Sequence, residues 1–132
     1  MSAWLRAAAS AVVASLALLA GGAQAANEAN PHDCKPDGNQ QQLNACAVRD
    51  FRTADAALNI RYGDVMKSLS PEMRTALRSE QRAWLKGRDP ACKSESKLSE
   101  GGSIWPLEFY SCLEQSTRKR TAGLDRWKGR QP

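Results

Sequence analysis

Four cysteines, Cys34, Cys46, Cys92 and Cys112, follow an N-terminal stretch laid out as an export signal, and together they constrain the fold more than any other feature. Residues 1–6 carry one positive charge and no acid. Residues 7–20 are Ala, Val and Leu broken only by Ser10 and Ser15, Gly21-Gly22 ends the run, and Ala23-Gln24-Ala25 offers small residues for a signal peptidase. This is the order of a secretory signal, with cleavage expected after Ala25. About 14 apolar residues fall short of the ~20 that a transmembrane helix needs. No cysteine lies at the cleavage point, so lipidation is not expected there. The expected product is a periplasmic or secreted protein with no transmembrane segment. In an oxidising compartment an even cysteine count reads as a disulfide framework. Gaps of 11, 45 and 19 residues between the cysteines lack the close pairs of a four-thiolate zinc site, so no metal is expected.

Removing 25 of 132 residues leaves 107, enough for one domain. The expected divisions are a signal peptide over 1–25, a polar leader over 26–38, a helical domain over 39–127 and a basic tail over 128–132. Asn39 with Gln42 three positions on has the form of a capping box. Leu43, Ala47, Phe51, Ala54, Leu58, Tyr62, Val65 and Leu69 then recur at steps of three and four, one stripe of a long amphipathic helix. Ser70-Pro71 closes it and caps the next helix, whose stripe of Met73, Leu77, Gln81, Trp84, Leu85 and Arg88 is expected to end at Asp89-Pro90. So short a connection predicts an antiparallel pair. Residues 93–102 are rich in Ser, Lys and Glu and read as an exposed loop. Trp105-Pro106 opens a third helix carrying Leu107, Tyr110, Cys112, Leu113, Thr117, Arg120 and Leu124 and fading towards Trp127. The fold class is all-α: a small disulfide-stapled three-helix bundle with one core.

An antiparallel bundle gathers all four sulfurs at one end. Of the three connectivities that four cysteines allow, the two sequence-local bridges, Cys34–Cys46 and Cys92–Cys112, are favoured. Asp55, Leu58, Asn59 and Tyr62 share one side of the first helix, and Gln81, Trp84, Leu85 and Arg88 one side of the second. Antiparallel register sets Asn59 opposite Gln81 and Asp55 within a turn of Arg88, giving two polar pairs that fix register.

Chemistry is sparse. His32 is the sole histidine, in the leader, which excludes a hydrolytic triad or a histidine-rich metal site. Carboxylate pairs such as Asp50 with Asp55, or Glu72 with Glu80, read as surface charge without a cleft to serve. No phosphate loop or nucleophile elbow is present, so no enzyme activity and no cofactor are expected. Without Arg6, 18 basic residues stand against 14 acidic ones. Arg118-Lys119-Arg120, Arg126, Lys128 and Arg130 hold much of the excess and read as a solvated helix face and frayed tail. Export argues against nucleic acid as their partner.

Asn39-Gln40-Gln41-Gln42-Leu43-Asn44-Ala45-Cys46-Ala47 resembles the helix-opening segment of the LprI-like lysozyme-inhibitor family of small exported bacterial proteins. Asp55-x-x-Leu58-Asn59-x-x-Tyr62, Gln81-Arg82-Ala83-Trp84-Leu85-x-x-Arg88-Asp89-x-x-Cys92, Gly101-Gly102-Ser103-Ile104-x-Pro106 and Thr117-x-x-Arg120-x-x-x-Leu124 are similar to its later blocks, in order. The resemblance implies a helical, disulfide-containing envelope protein that acts as a binding module. Its expected function is inhibition of a lysozyme or another cell-wall hydrolase by cleft occlusion, as a monomer. The loop at Gly101, Gly102 and Ser103 is the candidate binding loop, with Glu95, Glu100 and Glu108 around it as the acids that would meet a basic partner. The alternative is an envelope-associated structural module that binds anionic polymer or a membrane surface through its basic third helix.

Overall fold

Helix α1 (Gln40–Lys67) begins where Asn39 Oδ1 accepts from the Gln42 N–H at 3.1 Å and Gln42 Oε1 accepts from the Asn39 N–H at 3.0 Å. The exchange satisfies donors that a helix start leaves open. Helix α2 (Pro71–Glu95) starts with the Met73 N–H donating to Ser70 Oγ and with Pro71 at the first position, where no N–H is needed. Helix α3 (Trp105–Gly123) carries Pro106 in its first turn. Short 3-10 turns cover Pro31–Asp33, Lys97–Ser99 and Leu124–Trp127. The computed structural model describes residues 28–132; the signal peptide expected over 1–25 lies outside them. Among the described residues the chain is all-helical, with three α-helices and two disulfides.

Helix α2 does not stop at Asp89-Pro90. Pro90 lies inside it, and the helix continues to Glu95. The missing N–H of Pro90 deprives the Lys86 carbonyl of its helical partner. Both residues are exposed, so water can take that carbonyl and the helix is not broken. The loop is correspondingly shorter, beginning at Ser96.

Packing also departs from a hairpin with a third helix added. Helix α3 packs most extensively on α1 and less on α2, while the α1 and α2 backbones meet little beyond their shared turn. At that turn Arg74 Nε donates to the Met66 carbonyl at 2.9 Å. Beyond it the two helices are joined by long side chains. The core is therefore two clusters and not one. Leu58, Val65, Leu69, Leu77, Leu124 and Trp127 form the first, at the turn end. Cys92, Phe109 and Leu113 form the second, with Phe51, Trp105, Tyr110 and Cys112 against it. Each fully buried leucine contributes about 1.5–3 kcal/mol. Arg88 lies over both Phe51, of the second cluster, and Trp84, which packs on the first, at 5.0 and 5.4 Å from the ring centroids.

Candidate functional site

Two arginines organise the layer between the clusters. Arg88 Nη1 donates to Asp55 Oδ1 at 3.0 Å, its Nε donates to Asp89 Oδ1 at 2.9 Å, and Thr117 Oγ1 lies 3.4 Å from Nη1. Arg120 is buried; its Nε donates to Gln81 Oε1 at 2.7 Å and its Nη1 to Glu80 Oε1 at 2.6 Å. Its guanidinium also lies 5.8 Å from the Trp84 ring centroid. Burial pushes the Glu80 carboxyl up, but the hydrogen bond and charge of Arg120, helped by Trp127 and Arg126, outweigh it and hold the group below its ordinary value.

Asp55 and Arg88 thus meet, whereas Asn59 and Gln81 do not. Asn59 is exposed, and Gln81 turns to Arg120 on α3. The physical reason is the divergence of α1 from α2: an arginine spans the gap that an asparagine cannot. It also corrects the reading of residues 118–120 as one solvated basic face. Arg118 is exposed and pairs with Glu114 at 2.7 Å, but Arg120 points inward with Thr117 and Leu124.

The second arrangement is the connection from Ser96 to Ile104. The structure bridges Cys92 to Cys112, which ties together the two helices that flank the connection, and Cys34 to Cys46, which ties the leader to α1. Buried Ser96 donates its hydroxyl to the Cys92 carbonyl at 2.8 Å, and the Ser99 hydroxyl lies 3.0 Å from the Ser96 carbonyl and also contacts Glu108. The Gly102 N–H donates to the Ser99 carbonyl at 2.9 Å, and Asn44 Nδ2 reaches across from α1 to the Ser103 carbonyl at 2.9 Å. Gly101 has φ +82°, a conformation that suits glycine. A Cβ on Gly102 would sit 3.1 Å from the Ser99 carbonyl oxygen. Gly101, Gly102 and Ser103 are all exposed, so the segment is both ordered by hydrogen bonds and open to solvent.

Leu98 in this loop is fully exposed, at 104%, and Ile104 is 42% exposed. Sequence reasoning passed over both Leu98 and Asn44. A lone leucine inside a Ser/Lys/Glu-rich stretch was the available signal for the first. Nothing local marked Asn44 as a loop anchor. Glu100 pairs with Lys97 at 3.4 Å. Glu108 contacts Ser99, and Glu95 Oε2 lies 3.3 Å from Cys112 Sγ, a disulfide sulfur with no proton to donate.

Among the described residues no group of three or more His, Cys, Asp or Glu could hold a metal ion, and no helix is long and apolar enough to cross a membrane. A cavity of about 620 Å³ opens between the leader and α1, lined by Asn30, His32, Asn39, Gln42, Asn44 and Pro106 among others. The Asn30, Asn39, Gln42 and Asn44 side chains already serve as caps or loop ties.

A helical module stapled by two local disulfides, with a tied and exposed loop, is the class of protein that this fold defines. The family model for lysozyme inhibitor LprI matches residues 32–124, and the chain belongs to that family. It is also 37% identical over 114 residues to the uncharacterized protein R02472 of Rhizobium meliloti (strain 1021), a match covering 75% of this chain and 81% of the relative. No solved structure matches it.

Proposed function

We propose that this chain is exported, cleaved after Ala25, and acts as a protein-binding inhibitor of a lysozyme-type muramidase by occluding its cleft, without catalysis of its own. Membership of the LprI family supports the target class. The observation that carries the blocking element is the loop Ser96–Ile104, exposed yet tied by a disulfide and by Asn44. Ordering before contact reduces the entropy lost on binding.

A mature charge near +4 opposes approach to a basic muramidase. Its distribution softens that objection. Glu95, Glu100 and Glu108 lie at the loop end, whereas Arg118 follows Glu108 by ten residues, about 15 Å along α3. The alternative, anionic polymer binding through the third helix, has weaker support. Arg120 is buried, Arg118 and Arg126 pair with Glu114 and Glu80, and Lys128 pairs with Asp125.

A cell-wall turbidity assay tests the reading, using oxidised protein with animal-type and bacterial muramidases at low and moderate salt. Slowed lysis is the expected result. Undiminished lysis at large molar excess against every enzyme would discard it.

A further inference from the structure

Resting on that reading, we infer that Leu98 is the apolar anchor by which this protein enters the muramidase cleft, and that Glu95 helps to steer the basic partner towards it. Folding gives neither residue a reason to be where it is. Leu98 sits on a one-turn 3-10 helix, Lys97–Ser99, with its side chain wholly in water and outside both core clusters. Ser96, Ser99 and Gly102 hold that turn by hydrogen bonds, which fixes the backbone that presents Leu98 to solvent. Ile104, partly exposed at the other end of the loop, offers a second apolar contact.

Glu95 closes α2, where the negative end of the helix dipole disfavours a carboxylate. Among the described residues it has no ion-pair partner, and its carboxylate lies against Cys112. Cys112 is one helical turn beyond Glu108, so the two carboxylates share a face beneath the loop. Glu108 is different, because the first turn of α3 favours an acid there.

The partner chemistry follows from these features. A muramidase cleft accepts sugar rings whose faces are apolar and whose edges are polar. A single leucine on a narrow, rigid loop fits such a groove but covers too little area to hold a flat surface. A basic rim around the groove would be drawn to the carboxylates, more strongly at low salt.

The test is inhibition of a basic animal-type lysozyme in the turbidity assay by wild-type protein, Leu98→Ala, Leu98→Asp and the control Ile60→Ala. Ile60 is an exposed residue of α1, outside the loop. Leu98→Ala is expected to weaken inhibition about ten- to a hundred-fold, the loss that follows from leaving one leucine unburied. Leu98→Asp should weaken it at least as much, and Ile60→Ala should not. Urea midpoints unchanged from wild type show that the Leu98 variants are folded; if they shift, the same comparison is made with Leu98→Ser. Glu95→Gln should slow association about two- to fivefold at low salt, with the difference shrinking as salt rises. Wild-type and Leu98 variants inhibiting equally would overturn the anchor while leaving the inhibitor reading in place. Absence of inhibition by the wild type would overturn both.

Discussion

Truncating Arg120 to alanine should destabilise the bundle far more than removing an exposed charge from the same helix. Gln81 is buried and loses the donor to its Oε1, an uncompensated acceptor worth about 1–3 kcal/mol. The bond to Glu80, whose side chain is 40% exposed, adds about 1 kcal/mol after solvent screening. Loss of the aliphatic stem beside Trp84 costs about another 1 kcal/mol. One term opposes these: Arg120 Nη2 is buried without a partner, and removing it returns about 1 kcal/mol. The net expectation is a loss of about 2–4 kcal/mol, a large fraction of an ordinary domain's stability. Urea denaturation of the oxidised protein, followed by far-UV circular dichroism, measures it. Lys119→Ala, at an exposed position on the same helix, provides the comparison and should shift stability by less than about 0.5 kcal/mol. A loss below about 1 kcal/mol for Arg120→Ala, or equal losses for the two variants, would refute the assignment of Arg120 to the interior.

Two further expectations concern the same layer. A double-mutant cycle on Asp55 and Arg88 should give a coupling of about 1 kcal/mol, since Arg88 is nearly buried while Asp55 is 38% exposed; zero coupling would mean that the contact does not tie α1 to α2. Glu80 has its folded-state pKa depressed, so its contribution is present at neutral pH and is lost as pH falls through the ordinary glutamate value of 4.5 and on through the lower folded one. Glu80→Gln should flatten that acid limb in pH-dependent urea melts, and coincident slopes for variant and wild type would contradict the ion-pair account.

Helix starts were legible because their signals are local. Asn39 with Gln42, and Ser70 with Pro71, each complete a cap within a few residues. The end of α2 was not legible, because Pro90 has the look of a stop, and whether the freed carbonyl finds water depends on exposure that sequence does not display. Of the polar residues singled out on α1 and α2, Asp55 and Arg88 meet while Asn59 stays in solvent, a difference set by how far two helices diverge. Arg120 had two readings in the sequence, a member of the third helix's stripe and a member of a solvated basic run, and its burial upholds the first. Its spacing of three from Thr117 and four from Leu124 was the signal that it belongs to the buried face. Leu98 broke no local rule and so drew no attention, although its chemistry matches the surrounding loop least.

The partnership of α1 with α3 has a kinetic consequence. These helices are separated by the whole of α2, and the tie from Asn44 to Ser103 spans 59 positions. Closing a chain of that length costs on the order of 3–4 kcal/mol in entropy before any contact repays it. Beyond the cluster at its turn, the hairpin of α1 and α2 brings few backbone positions together, so zipping outward from Ser70 gains little until α3 docks. Refolding should therefore be slower than in bundles whose neighbouring helices make the main interface. With Cys92 already joined to Cys112, α2 and α3 would search for α1 as one tethered unit, and the docking of α1 would set the rate.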